Sequence, residues 1–232
     1  MRRNRNATRR LLRVESLEDR RLLFDVPAET FYLDNNGTNT NFGIVGGNWN
    51  TAAENRIWNT DLTGGAGGVL GPWQNDNFAV VRGLSGTLDI NQPVQARSLS
   101  FESPSGTTVT ISGSATNNLT LNSTTVGGTQ VLVNSGVTGR IDAPVAGSNG
   151  LSKLGPGTLA LAGANTYNGL TTVNSGTLVI ANSSALGTTA AGTNVVSGAR
   201  VQLTGGITTS ESFTIAGPGS TGAINGGSGA AG

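Results

Sequence analysis

The stretch that decides the fold is Gly155-Pro-Gly-Thr-Leu-Ala-Leu-Ala-Gly-Ala-Asn-Thr-Tyr-Asn-Gly-Leu-Thr-Thr-Val-Asn-Ser-Gly-Thr-Leu-Val-Ile180. Two of its segments, 158–161 and 177–180, alternate large apolar residues with smaller ones, and Gly or Asn bounds each of them. Alternation over four residues predicts a short strand that buries one face. We therefore expect Leu159 and Leu161 to face a core, with Thr158 and Ala160 outside.

The turn between these two strands carries side chains that stabilise turns. Asn165 or Asn168 can hydrogen-bond the backbone beside it, and Gly169 can adopt a positive φ. We expect Tyr167 to lie across neighbouring strands with its hydroxyl in water.

The same short alternating run recurs along the chain from residue 84. Successive runs start about 10 residues apart, a spacing that suits a sandwich, a barrel or a β-solenoid. Short, similar runs, turns rich in Asn and Gly, and few aromatic rings favour the solenoid. The predicted fold is all-β: residues 84–232 form a β-solenoid, specifically a right-handed parallel β-helix, of roughly seven coils at about 20 residues each.

The composition excludes several classes of protein. The 232 residues include no Cys and no His, so no Ser-His-Asp or Cys-His nucleophile, no common zinc site and no disulfide can form. Glycine numbers 36, charged residues are 12% and the net charge is +1. A low-complexity disordered chain is the alternative, but disorder usually comes with high net charge and few β-branched residues, whereas Thr, Val and Ile are plentiful here.

Residues 26–83 form a Trp- and Gly-rich capping region. It contains all three tryptophans of the chain, Trp49, Trp58 and Trp73. The favoured interpretation is a hydrophobic cap that covers the first coil, because a stack of coils must bury its end. The alternative is that the three rings stack on sugars, with nearby Asp side chains completing a glycan contact.

Residues 1–25 form a separate basic arm. Eight of the 14 basic residues lie within the first 21 positions. Leu11, Val14 and Leu17 have a helical spacing, so we expect a short helical arm or a disordered one. The rest of the chain is weakly acidic, which argues against a nucleic-acid partner. No apolar run approaches the ~20 residues that a membrane helix needs.

Two segments resemble known families. Residues 155–187 resemble the autotransporter-associated β-strand repeat, and residues 150–154 and 195–224 fit the same pattern more loosely. Leu17-Glu-Asp-Arg-Arg-Leu-Leu23 resembles the LEPR-XLL segment, a sorting-type sequence, with Asp19 where that family usually has Pro. These resemblances imply export machinery and display at the bacterial cell surface or secretion, and they imply no activity.

The acidic residues give little sign of catalysis. Beyond residue 90 they are Glu102, Asp142 and Glu211, too far apart in sequence for the paired carboxylates of a glycosidase. Asp142 lies beside Arg140, which suggests a solvated ion pair. Asp61, Asp76 and Asp89 lie closer together, so a site in the capping region is conceivable.

The predicted function is accordingly non-enzymatic, with no catalytic, cofactor or metal site. We expect a structural stalk or an adhesin-like passenger whose ligand is an unknown surface, such as a polysaccharide or another cell. The alternative is a β-helix that binds or degrades polysaccharide. The chain stops inside what reads as a repeat, so we also expect a longer gene product.

Overall fold

The computed structural model describes residues 28–35, 42–64, 70–123 and 128–216, together with a strand at 224–226. The predicted basic arm and its Leu17–Leu23 segment lie outside the described residues. Across the described part the secondary structure is strand and turn, and no helix there has the length and apolar character needed to cross a membrane.

Nineteen strands are described, most of them three to five residues long. They are β1 Thr30–Leu33, β2 Asn48–Trp49, β3 Trp58–Asn59, β4 Asn77–Val81, β5 Gly86–Ile90, β6 Val94–Phe101, β7 Thr108–Ser112, β8 Leu119–Leu121, β9 Thr129–Val133, β10 Thr138–Ile141, β11 Val145–Ala146, β12 Leu151–Leu154, β13 Thr158–Leu161, β14 Thr171–Val173, β15 Thr177–Ile180, β16 Thr193–Val195, β17 Arg200–Leu203, β18 Phe213–Ile215 and β19 Ile224–Gly226.

The strands stack into two long sheets that the chain visits in turn. The first sheet has the order β18-β16-β14-β12-β9-β6-β4-β1-β3, and the second has the order β19-β17-β15-β13-β10-β7-β5-β2. Pairing from β4 onward is parallel, and equivalent residues recur about one coil apart, as Lys153 pairs with Val173 in the next coil. This topology confirms the predicted β-solenoid. Its handedness stays a prediction.

Two short strands, β8 and β11, form a further side of the coils and are joined to the first sheet through β6. Val94, Leu119 and Val145 are in register there, on β6, β8 and β11. Further along, hydrogen bonds between turns continue this side: the Thr166 amide donates to the Val145 carbonyl at 2.8 Å.

The core consists of columns of inward side chains, one from each coil. In the second sheet one column runs Val109, Gly139, Leu159, Leu178 and Val201. Leu159 and Leu161 are fully buried, as the alternation predicts. Ala160 points outward but is also covered, because its register neighbours Arg140 and Val179 have larger side chains.

Gly139 lies at an inward position where neighbouring coils carry Val or Leu. The space is taken by the ring of Phe101: a Cβ on Gly139 would lie 2.5 to 2.7 Å from three of its ring carbons. The Phe101 ring therefore occupies the space that a side chain at position 139 would otherwise fill.

Candidate functional site

The three tryptophans form one cluster at the N-terminal end of the stack. Their ring centroids are 4.8 to 5.2 Å apart, and Phe31 packs edge-on against Trp73 at 5.7 Å. Trp49 belongs to β2, which pairs with β5, so the cluster lies against the first regular coil. The indole N–H of Trp73 donates to the Gln95 carbonyl at 3.0 Å.

The burial of these rings bears directly on the sugar-stacking interpretation. Trp49 and Trp58 are 0% exposed and Trp73 is 1% exposed. A sugar that stacks on an indole needs an exposed ring face, whereas these three rings pack against one another. The structure therefore places the three candidate glycan contacts inside the core, in contact with one another.

The three aspartates considered for a site in the capping region, Asp61, Asp76 and Asp89, have separate surroundings. Asp61 accepts hydrogen bonds from Thr63 and so holds its own turn. Asp76 lies in an exposed turn with a φ of 65°. Asp89 accepts a hydrogen bond from the Ser112 hydroxyl at 2.7 Å on the outer face of the second sheet.

Arg82 connects the capping region to the coil that follows. Its guanidinium lies 4.8 Å from the ring centroid of Tyr32 and 5.8 Å from that of Phe42. It also forms an ion pair with Glu102 at 2.6 Å and donates to the Leu62 carbonyl. Cation–π contacts and a charge-assisted hydrogen bond on one guanidinium hold the Tyr32 and Phe42 rings and Glu102 close together.

The acids beyond residue 90 lie on different coils, as the sequence suggests. Glu102 pairs with Arg82, Asp142 pairs with Arg140 at 2.7 Å, and Glu211 bonds the Thr193 hydroxyl at 2.9 Å. Both members of the Arg140 pair are more than a third exposed, which confirms the solvated ion pair. Nowhere in the described ranges do three acidic side chains gather in a way that could hold a metal ion.

The turn at 163–169 differs from its prediction in two respects: Asn165 bonds neighbouring coils instead of the backbone beside it, and the Tyr167 hydroxyl is buried. Asn165 is buried and spans three coils: its Oδ1 accepts from the Val145 amide and its Nδ2 donates to the Ala185 carbonyl. Gly169 has a φ of 92°, as expected. The hydroxyl of Tyr167 is not in water, because the side chain is buried and bonds Thr171 at 2.8 Å. Burial raises the pKa of this phenol.

The burial of Glu211 and Lys153 was not predicted from the sequence. Glu211 is 9% exposed, and its burial raises the pKa of the carboxyl despite the hydrogen bond from Thr193. Lys153 is 0% exposed, and its burial lowers the pKa of the ammonium from 10.5 to about 8. Residues i and i+2 of a strand face the same side, so the inward position of Leu151 indicates that Lys153 also points inward.

The outer face of the second sheet carries a regular array of hydroxyls. Four residues in register form it, which we call the threonine column: Thr108, Thr138, Thr158 and Thr177. Strands in a sheet are about 4.8 Å apart, so the hydroxyls repeat at that interval. The four residues of this column are uncharged and partly or fully exposed.

The stacked coils and the aromatic cluster define a β-solenoid repeat protein. Residues 151–180 match the passenger-associated-transport-repeat family. The chain is also 35% identical over 185 residues to the adhesin BmaC autotransporter of Brucella suis biovar 1 (strain 1330), a match that covers 76% of this chain and 5% of that protein. No solved structure matches the chain significantly.

The chain therefore carries an autotransporter-associated repeat, as its sequence pattern indicates, and both similarities imply the bacterial cell surface or the extracellular space as its location. It spans about a twentieth of the length of the curated relative that it matches.

Proposed function

We propose that this chain is a non-enzymatic passenger segment that serves as a rigid stalk and an adhesin-like contact surface outside the bacterial cell. The observation that carries the proposal is the in-register parallel stacking of the coils around the matched repeat. Such a stack is extended, and its length grows with each added repeat, so it can hold a surface at a distance from the cell.

The exposed side chains of the threonine column support a role in contact with a partner surface. The threonine column offers hydroxyls at regular intervals, and the register residue beyond Thr177 is Arg200. A regular array of this kind can make many weak contacts with a partner at once, so the avidity can exceed the affinity of each contact.

The arrangement of the acids supports a role without catalysis. General acid–base chemistry on a glycan requires two carboxyl groups about 5–10 Å apart across one bond. Here each of the three acids beyond residue 90 lies on its own coil and is held by a local partner.

Cells that display the complete protein can test both parts of the proposal. One variant carries Thr138→Lys, Thr158→Lys and Thr177→Lys on the threonine column. The matched control carries Gln130→Lys, Thr172→Lys and Asn194→Lys on the outer face of the other sheet. A third strain lacks residues 84–226. Attachment and rupture distance are measured by single-cell force spectroscopy on host-cell and abiotic surfaces.

Loss of attachment in the threonine variant alone supports a contact surface. Unchanged attachment in both lysine variants, with a shorter rupture distance in the deletion strain, supports a stalk. If the deletion strain attaches as strongly and at the same distance as the parent, the proposal is wrong.

A further inference from the structure

Lys153 occupies a position in the core that neighbouring coils fill with aliphatic residues. It is in register with Val131 in the preceding coil and Val173 in the following coil. All three side chains are fully buried. The lysine stem therefore packs like an aliphatic side chain, and its ammonium must find its partners inside the protein.

The ammonium has three backbone acceptors, which we call the carbonyl cage. Nζ donates to the oxygens of Leu154 at 3.0 Å, Gly155 at 2.7 Å and Ser175 at 3.1 Å. Leu154 is the last residue of β12 and Gly155 begins the corner that follows it, whereas Ser175 belongs to the equivalent corner of the next coil. One ammonium group therefore joins two successive corners.

Two glycines bring these corners close enough to share the ammonium. Gly155 and Gly176 have φ values of 76° and 69°. A Cβ on Gly176 would lie only 2.7 Å from the Gly155 oxygen, one of the three acceptors. Side chains at these positions would push the corners apart and separate the oxygens.

We infer that the carbonyl cage is a binding site for a primary ammonium group, which the chain fills with its own Lys153 and uses to hold two neighbouring coils together. Three acceptors match the three N–H donors of an ammonium. The three carbonyls belong to partly buried residues, so removing their shared donor leaves them with poorer hydrogen bonding than in the parent. The inference concerns the cohesion of the stack and does not depend on the adhesin-like role.

The competing explanation is that Lys153 contributes only its aliphatic stem. The variant Lys153→Met keeps the length and apolar character of the stem and removes all three donors. If the cage needs its donors, the thermal midpoint falls by roughly 3 °C or more, the shift that the loss of about 1 kcal/mol of hydrogen bonding brings to a chain of this size. A midpoint equal to or above that of the parent overturns the inference, since packing alone would then explain the lysine.

A rescue experiment tests the ligand class directly. Lys153→Ala leaves a cavity of the shape of n-propylammonium above the cage, and a ligand that binds only the folded state raises its midpoint. We expect n-propylammonium to raise the midpoint saturably, and propanol and tetramethylammonium to leave it unchanged. The matched control is Val173→Ala, an apolar cavity one coil further on, which should not respond to n-propylammonium.

If Lys153→Ala does not fold, the same comparison is made during refolding, with the far-ultraviolet circular dichroism of β structure as the readout. Recovery with n-propylammonium but not with propanol supports the inference. No response of Lys153→Ala to n-propylammonium in either format, or an equal response of Val173→Ala, overturns it.

Discussion

The pairing of Phe101 with Gly139 gives a quantitative test of how the core is packed. Gly139 has no positive φ, so alanine is compatible with its backbone. An unhindered Gly→Ala change of this kind stabilises a protein by about 0.4–1 kcal/mol. Here the new Cβ would meet the Phe101 ring at 2.5 to 2.7 Å, so the ring must move by about 1 Å. Overpacking a core costs about 1–3 kcal/mol, and we expect Gly139→Ala to destabilise the chain by about 1–2 kcal/mol net.

The second single variant, Phe101→Ala, removes the ring and leaves a cavity. We expect a loss of about 3–5 kcal/mol in the free energy of unfolding. In the double variant the Cβ of residue 139 enters the space that the ring has left, so the clash disappears. The combined loss should therefore be smaller than the sum of the two single losses, by about 1–3 kcal/mol.

Equilibrium unfolding in urea, followed by circular dichroism, measures all four members of the cycle. A common slope against denaturant concentration is required, because long repeat arrays can lose two-state behaviour. Strict additivity, or a Gly139→Ala variant more stable than the parent, would refute the account of complementary packing at this coil.

Three further outcomes are expected. The pKa of Lys153 is about 8 in the folded state and 10.5 in the unfolded state, so the unfolded state binds more protons between these values. The free energy of unfolding should therefore rise by at most about 2 kcal/mol between pH 7.5 and 9.5, and Lys153→Met should abolish the rise. Burial raises the pKa of Glu211, so its ionisation destabilises the fold as the pH rises above 4.5. The variant Glu211→Gln keeps an acceptor for Thr193 and carries no charge, so amide exchange in β16 and β18 should be slower at pH 7 than in the parent. Faster exchange would contradict this. Finally, tryptophan emission should be blue-shifted, poorly quenched by acrylamide and unchanged by oligosaccharides, whereas quenching as efficient as in free tryptophan would show that the rings are exposed.

The fold was predictable from the sequence because its local signals agree with one another. Period-two alternation identified the inward leucines at 159 and 161, and the left-handed conformation of Gly169 followed from its place after Asn168. A run of four residues does not reveal which strands pair, and the long-range register became visible only in the structure. The capping region is more irregular still, because β3 pairs antiparallel with β1 in an otherwise parallel sheet.

The polar interior was the part that sequence reasoning could not predict. A lysine or glutamate in a strand is normally expected at the surface, since burying a charge is costly unless it is paired. Lys153 breaks this expectation because its partners are backbone carbonyls, which have no signature in a sequence. The same reason explains the wrong prediction for Tyr167: the partner of its hydroxyl is Thr171, the buried first residue of β14.

The burial of Lys153 also determines how the protein reacts with amine reagents. It is the only lysine in the 232 residues, and no part of it is exposed in the folded chain. An acylating dye or an amine-specific cross-linker therefore finds its one side-chain target only while the coil around residue 153 is open. The rate of labelling at this residue measures that opening directly, without an engineered probe, in purified protein and on living cells alike.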